Sequence, residues 1–152
     1  MMTFPNTQQQ DAVLAQFMLK HAFVKPSADA KHIGWVDASN PLNPELLGAV
    51  CFNNFIGATC QIHVAMKDDY HYTPKEMLAT VMEIAFNRFK VAKLIGIVNS
   101  LNASSMRFSR HLGFVEEHRL KGMHDDGGDI VIFTMDRTQC RYLRKTEERK
   151  AA

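Results

Sequence analysis

The chain has 152 residues, of which 46% are hydrophobic and 22% are charged, and its formal net charge is +2. This composition is typical of one globular domain, and it excludes disordered, collagen-like and low-complexity proteins. The small net charge does not by itself indicate a nucleic-acid partner. The longest apolar run, Leu46 to Phe52, is far shorter than the roughly 18 residues that a membrane helix needs. Because the first residues also lack the pattern of a secretory signal, we expect a soluble cytoplasmic protein.

The first half of the chain is predicted to form one helix and three strands. Thr7 and Gln10 have the spacing of a capping box, and apolar residues then recur at helical spacing as far as residue 23. Alternating and continuous apolar runs follow, as in half-buried and buried strands. We therefore predict a helix near 7–23 and strands over 31–37, 46–52 and 59–66.

Turn residues separate the predicted strands. The stretch 39–44 contains two prolines and two asparagines and breaks the chain after the first strand. Asn53, Asn54 and Gly57 indicate the turn between the second and third strands. These three strands are therefore expected to pair as consecutive hairpins.

The second half opens on a stronger helix signal. Thr73, Pro74 and Glu76 match the N-cap, N1 and N3 positions of a capping box with proline in the first turn. Further on, Gly113 marks a helix exit, and 125–128 reads as a hairpin turn. The predicted elements are a helix over 74–90, a strand over 94–98 buried on both faces, a helix over 102–112, and strands over 114–120 and 130–135.

The predicted order is α-β-β-β-α-β-α-β-β. Only the strands that flank a crossover helix need to be parallel, so this order predicts a mixed, mostly antiparallel sheet with helices on its faces, in the α/β or α+β class. We assign residues 1–136 to a single domain. Residues 137–152 carry six basic residues against two glutamates and are expected to form a solvated basic tail, with an anionic partner as the alternative.

Residues 102–116 carry a resemblance to a known superfamily. Asn102, Ser105 and Arg107, followed by Gly113-Phe114 and Glu116, resemble the N-x-x-[AS]-x-R-x-x-x-x-x-G-F-x-x-E segment of the GNAT superfamily of N-acetyltransferases. Ser at the fourth position is most similar to the branch that acetylates protein N-termini. Motif and element order together cover about residues 31–136. The resemblance implies the GNAT fold, with acetyl-CoA as cofactor and an amine as acceptor.

The resemblance also implies a binding mode. In the superfamily the sheet splays between the third and fourth predicted strands, the pantetheine arm pairs with the first of these, and the pyrophosphate lies at the N-terminus of the next helix. The cofactor-binding residues implied here are Ile62, His63, Val64, Tyr72, Thr73, Lys75, Glu76, Asn102 and Ser105.

The phosphate loop departs from the superfamily pattern. The aligned stretch 69–74 has no glycine, Pro74 lacks an N–H donor, and Asp68 and Asp69 stand where an anion should bind. The helix N-terminus would still offer N–H groups and the positive end of its dipole, with Lys67 and Lys75 adding charge. As an alternative, Thr73 and Glu76 form only a capping box and hold no ligand.

Four side chains are candidates for the chemistry. Ser105 or Ser109 could donate a hydrogen bond to the departing sulfur, and Ser109 occupies the position where many members have Tyr; the alternative is ordinary helix polarity. His63 is the candidate base because its usual pKa is about 6.5, and His32 is a second candidate. The alternative for His63 is a hydrogen-bonded core histidine, or a bound water could carry the proton. Asn102 could act as N-cap, as cofactor contact, or as both.

Two further clusters of metal-ligating residue types are not expected to form functional sites. His124, Asp125, Asp126 and Asp129 match no rigid metal-ligand spacing and are predicted to form a solvated hairpin tip. Cys51, Cys60 and Cys140 are odd in number and have no C-x-x-C spacing, so neither disulfides nor a zinc site are expected.

The sequence therefore predicts an N-acetyltransferase that moves an acetyl group from acetyl-CoA to a primary amine of a peptide, protein or small molecule. The alternative is a catalytically inactive GNAT-fold structural or interaction protein, for example a small virion component of a tailed phage. A nucleic-acid role through the basic tail is a third hypothesis. The nine methionines and ten phenylalanines supply a core, a homodimer face, or both.

Overall fold

The computed structural model describes residues 1–68, 72–143 and 151. The helices are α1 (Gln8–Ala22), α2 (Lys75–Glu83) and α3 (Ala103–Leu112). The strands are β1 (Met2–Thr3), β2 (Lys31–Asp37), β3 (Glu45–Ile56), β4 (Thr59–Met66), β5 (Lys93–Asn99), β6 (Val115–Leu120) and β7 (Ile130–Asp136). A π-helical turn, Ile84–Arg88, continues α2, and a 3₁₀ turn, Arg137–Gln139, follows β7.

The hydrogen-bonded strand order is β1-β2-β3-β4-β5-β7-β6. Among the described strand pairs, only β4 and β5 are parallel, and they are the neighbouring strands that a crossover helix joins. The predicted element order and the mixed, mostly antiparallel sheet are therefore confirmed. The two-residue strand β1, which pairs Met2 with Trp35 and Thr3 with Gly34, was not predicted.

The chain divides into two compact units. Unit 1 is Met1–Phe55 with Ile62–Val81, and unit 2 is Ile56–Gln61 with Met82–Ala152. The division falls inside β4 and inside α2. The single domain predicted over 1–136 stays a prediction.

Unit 1 is built on the antiparallel pairing of β2 with β3, in which Lys31 lies opposite Phe52 and Asp37 opposite Glu45. Helix α1 packs on one face of these strands. The buried residues of this layer are Leu14 and Met18 of α1 with Ala49, Cys51 and Ala65 of the sheet. Gly34 allows the close approach, since a Cβ there would lie 2.6 Å from Thr3 Cγ2 and 3.0 Å from Leu14 Cδ2.

Unit 2 is built around β5 and β7, which pair antiparallel over their full lengths, with β6 on the outer side of β7. The first residues of β4 join this unit through the parallel pairing of Thr59–Gln61 with Lys93–Ile95. On one face of this pair, Leu94 of β5 and Val131, Phe133 and Met135 of β7 are completely buried.

The helix ends follow the sequence signals in part. Thr7 caps α1 by accepting from Gln10 N at 3.2 Å, as predicted, but the Gln10 side chain returns its bond to Asn6 N rather than to Thr7. The helix predicted to run to residue 90 leaves α-geometry at Ile84, where the Phe89 N–H donates to the Ile84 carbonyl, five residues back.

The turn predicted at Asn53 and Asn54 is wrong. Strand β3 continues through both residues to Ile56, and the chain reverses at Gly57 and Ala58. Asn54 takes a left-handed φ of 49°, a conformation that Asn tolerates better than most residues. The Phe55 N–H that follows donates to Asp29 Oδ2 at 2.9 Å, so the irregular strand leaves no donor unpaired at that point.

Two predictions about burial are also wrong. Strand β5 is not buried on both faces, because Ile97 is 47% exposed. The first part of the predicted solvated tail belongs to the fold: Arg137–Gln139 forms a 3₁₀ turn capped by Asp136, and Cys140 and Leu143 are buried. The rest of that tail, 144–150 and 152, lies outside the described residues.

Cys51, Cys60 and Cys140 are buried and form no disulfide with one another. Among the described residues, no helix combines the length and the apolar character required to cross a membrane.

Candidate functional site

The predicted pantetheine strand lies in β4. Ile62 is 8% exposed, and His63 and Val64 are half-buried. All three lie beyond Gln61, the last residue of β4 recorded in the parallel pairing with β5. Alternation along the strand places the side chain of His63 on the face opposite to those of Ile62 and Val64.

His63 is held by Asn53, a residue of the neighbouring strand for which the sequence predicts a turn. Its Nε2 lies 2.9 Å from Oδ1 of Asn53, which is 5% exposed. An amide oxygen only accepts, so Nε2 carries the proton and, in the neutral ring, Nδ1 carries the lone pair. Burial lowers the pKa of His63 below its usual value, so the ring is neutral at pH 7. Within the described part of the chain, Nδ1 has no hydrogen-bond partner.

The second candidate base, His32, has a carboxylate as its partner. Its Nδ1 lies 2.9 Å from Oδ1 of Asp11, and its side chain is 5% exposed. The pair joins β2 to α1. His21 makes a similar contact at the other end of α1, with Nδ1 3.1 Å from Oδ1 of Asp68.

Within the described residues, the N-terminus of α2 does not form the cap that its sequence predicts. Thr73 is half-buried, and Tyr72, Lys75 and Glu76 are exposed. Among the described residues, no hydrogen bond joins the side chain of Thr73 or of Glu76 to the first turn, so the predicted capping box is wrong. The first N–H groups of a helix have no partner within the helix itself, and here the Thr73 hydroxyl leaves them open.

The residues just before α2 are only partly described. Asp69 and His71 lie outside the described residues. Of the basic residues expected to assist anion binding, Lys67 forms an ion pair with Glu45, whereas Lys75 is exposed at the first position of the helix.

Helix α3 presents the remaining predicted residues on one stripe. Asn102, Ser105 and Ser109 are spaced by three and four residues, so they share a face of the helix. Asn102 is the N-cap, and its Oδ1 accepts from Ser105 N at 3.0 Å, which confirms the capping prediction. Ser105 and Ser109 are half-buried, and their hydroxyls have no recorded partner among the described residues.

The β6–β7 hairpin tip is tied to the start of α3, which sequence reasoning missed. Asn99 Nδ2 donates to Asp126 Oδ2 at 2.6 Å, and the Asp129 N–H donates to Ser100 Oγ at 2.8 Å. Hydrogen bonds hold the pKa of both carboxyls below the usual range, chiefly those from the N–H of Gly128 to Asp126 and of Gly122 to Asp129. We call these contacts the hairpin latch. No group of three metal-ligating side chains lies together in the described residues.

The structure thus distributes the predicted site residues between the two units. Unit 1 contains Ile62, His63, Val64, Tyr72, Thr73, Lys75 and Glu76. Unit 2 contains Asn102, Ser105 and Ser109.

The fold is shared with solved acetyltransferases. No family model and no curated protein matches the sequence. A mutant form of the spermidine/spermine N-acetyltransferase SpeG from Vibrio cholerae matches with a TM-score of 0.70 at 14% identity, over 95% of this chain and 99% of that one. The Vibrio cholerae enzyme in complex with CoA and spermine matches with a TM-score of 0.70 at 13% identity, over 94% and 97% of the two chains. This chain has the GNAT fold.

A GNAT-family acetyltransferase from Bacillus anthracis also matches, with a TM-score of 0.57 at 17% identity, over 69% of this chain and 65% of that one. Identities this low establish the fold and leave the activity to be argued from the site. The fold agrees with the one that the resemblance of residues 102–116 implied.

Proposed function

We propose that the protein is an acetyl-CoA-dependent N-acetyltransferase that acetylates a primary amine by direct attack. The observation that carries the proposal is the N-terminus of α2, where the sequence predicts a cap and no side chain of the described residues forms one. A helix N-terminus with unpaired N–H groups and a positive dipole end is suited to an anion. In the superfamily the pyrophosphate of the cofactor occupies this place.

The cofactor-binding residues are proposed on the same basis. Thr73 and Lys75 provide a hydroxyl and an ammonium group at the helix end, and Tyr72 and Glu76 flank them. The backbone of Ile62–Val64 would pair with the pantetheine arm. Asn102, whose Oδ1 is engaged as the cap, retains its amide NH₂ for a contact with the cofactor. A structural neighbour was solved with CoA and spermine, which supports a CoA cofactor and an amine acceptor.

Acetyl-CoA, when bound, supplies an activated acetyl thioester. The acceptor nitrogen forms the new C–N bond while the C–S bond breaks. We assign His63 as the base, because Nδ1 carries a lone pair and the lowered pKa keeps it unprotonated at pH 7. Ser105, or Ser109 one turn further on, would donate a hydrogen bond to the leaving sulfur. A thiol has a pKa of about 8.5, so its thiolate needs little further stabilisation to leave.

Calorimetric titration of the purified protein with acetyl-CoA and with CoA tests the proposal. Binding with a Kd in the micromolar range corresponds to about −8 kcal/mol. We expect Thr73→Glu to weaken it, because the added carboxylate opposes the pyrophosphate, and Asn102→Ala to weaken it by removing an amide donor. Thr7→Glu is the matched control, since it places the same charge at the N-terminus of α1 and should leave CoA binding unchanged.

Release of CoA in the presence of candidate acceptors then separates the substrate classes. Spermidine represents the polyamines, a short peptide with a free N-terminus represents the N-terminal branch, and a simple alkylamine represents other small amines. No heat and no thermal shift with millimolar acetyl-CoA would contradict the proposal. That result would favour the alternative of an inactive GNAT-fold protein, for example a virion component, and would direct the search to its binding partners.

A further inference from the structure

The position of Asn53 is unusual for an asparagine. It lies in the interior of β3, 5% exposed, at a point where the strand departs from regular geometry at Asn54. Asparagine is depleted in strands, and burying its amide is costly unless the amide is hydrogen-bonded. The partner of Asn53 is the imidazole of His63, whose Nε2 lies 2.9 Å from Asn53 Oδ1. An apolar residue would serve the core at least as well, so the amide needs an explanation.

We propose that Asn53 is a positioning residue that fixes the ring orientation and the tautomer of His63. This inference rests on the function proposed above, in which His63 accepts the proton of the amine. By accepting from Nε2–H, the Asn53 oxygen places the lone pair on Nδ1 and prevents the ring from flipping. Nδ1 is then the nitrogen that faces away from β3 and can receive a proton.

The surroundings of His63 leave Asn53 as its one recorded polar partner in the described structure. The titratable groups on the same sheet face are Cys51 on β3 and His32 on β2. Helix α1, which packs on that face, contributes Asp11, bound to His32, and His21, bound to Asp68. Burial, followed by the charges of Asp29 and Asp11, raises the pKa of the Cys51 thiol to about 12, so that group is neutral. None of these side chains is recorded in a hydrogen bond with His63 within the described residues.

Three variants separate positioning from structural support. Asn53→Leu removes the acceptor and keeps the branched shape and the number of non-hydrogen atoms of the side chain. Asn53→Asp keeps an acceptor and adds a negative charge. Asn54→Gly is the control, because Asn54 is exposed and glycine adopts its left-handed backbone without strain.

The first readout does not require activity. NMR of the imidazole nitrogens, with the His63 signal identified by its loss in His63→Gln, reports tautomer and pKa directly. In the parent protein and in Asn54→Gly we expect one neutral tautomer, protonated at Nε2. Asn53→Leu should lose that tautomer preference, and Asn53→Asp should keep it while raising the pKa of His63 by about 1–3 units.

The second readout is the pH profile of acetyl transfer, with acetyl-CoA and whichever of spermidine, peptide or alkylamine turns over. A positioned base contributes about 10²–10⁴-fold to rate, so Asn53→Leu should lower kcat by about tenfold or more, with the KM for acetyl-CoA changed less than about twofold. Asn53→Asp should move the acid limb of the profile to higher pH by the same amount as the NMR pKa.

An unchanged tautomer in a folded Asn53→Leu protein, or an unmoved His63 pKa in Asn53→Asp, would overturn the inference. So would a pH profile that does not follow the NMR value. If the parent protein transfers no acetyl group while the tautomer and pKa respond as expected, the catalytic assignment fails and the coupling between Asn53 and His63 stands. Should Asn53→Leu fail to fold, Asn53→Asp alone decides the matter.

Discussion

The N-termini of α2 and α3 form an instructive pair. Helix α2 has the stronger capping signal in sequence, with Thr73, Pro74 and Glu76 all in register, yet no side-chain cap is recorded for it in the described chain. Helix α3 has a single asparagine, Asn102, which forms the cap at 3.0 Å. The helix with more matching capping residues is therefore the one without a side-chain cap among the described residues.

The difference lies in what holds each end. The residues before α3 are fixed by the hairpin latch, which joins Asn99 to Asp126 and Ser100 to Asp129. Because the backbone is held in place there, the Asn102 side chain only has to adopt one rotamer for its Oδ1 to accept from the first turn. Helix α2 has no comparable latch within its described neighbours. A capping sequence thus indicates where a helix starts, and tertiary contacts decide whether the cap forms or the N–H groups stay available for an anion.

The largest effect is expected from breaking the latch. A Cβ on Gly128 would lie 2.3 Å from Asn99 Oδ1 and 2.9 Å from Leu101 Cγ, so a larger side chain must displace the side chains of Asn99 and Leu101 and break the hairpin latch. Gly128→Val should destabilise the protein by about 2–3 kcal/mol, as overpacking commonly does. Urea unfolding measures this. Gly127→Asn is the control, because nothing lies within 4 Å of a Cβ there and Asn tolerates its φ of 84°. A Gly128→Val protein as stable as the parent would show that the latch does not constrain the corner.

Removing the cap of α3 should have a smaller effect. Asn102→Ala leaves the Ser105 N–H without its side-chain acceptor and should cost about 1 kcal/mol in the free energy of unfolding. Ser104→Ala, an exposed neighbour on the same helix, should stay within about 0.5 kcal/mol. Equal effects of the two substitutions would mean that the cap contributes nothing.

The corresponding change in α2 should leave stability almost untouched. Thr73→Ala removes a hydroxyl that forms no cap among the described residues, so we expect less than about 0.5 kcal/mol of destabilisation without ligand. Thr7→Ala is the matched control, because Thr7 does cap α1 and its loss should cost about 1 kcal/mol. With CoA present, Thr73→Ala should weaken binding several-fold and Thr7→Ala should not. A stability loss in Thr73→Ala as large as that in Thr7→Ala would contradict the open-end interpretation.

The sequence was a good guide where local signals and tertiary structure agree. The order of helices and strands, the cap of α1 and the cap of α3 could be predicted, since periodicity and N-cap chemistry act within a few residues. Pairing between distant segments was not accessible. Strand β1 exists because Met2 and Thr3 meet β2, more than thirty residues away. Cys140 and Leu143 are buried although the charges around them indicated a solvated tail.

The candidate site shows the same limit more sharply. His63 and the α3 stripe were proposed from sequence, but Asn53 was assigned to a turn because two consecutive asparagines usually mark one. Its role depends on a side chain of another strand. The latch was missed for the same reason, since Asn99 and Asp126 are 27 residues apart and nothing in either local pattern points to the other.

The smallest effect concerns the acid response of the two helix ends. The pKa of Asp126 is lowered, mainly by the Gly128 N–H and then by Asn99, so its contribution to stability is present above the unfolded value of about 3.9 and is lost as pH falls through the folded value. The Tm difference between the parent and Asp126→Asn should therefore be a few degrees at most at neutral pH and should vanish once the pH lies below the lowered pKa of Asp126. Asp125→Asn, at a carboxylate with no recorded hydrogen bond in the described chain, is the control. Thr73→Ala should show no such pH dependence, because no titrating side chain holds the start of α2 among the described contacts. An Asp126→Asn difference that persists in acid would assign the latch to packing rather than to charge, and would remove the electrostatic part of the contrast between the two ends.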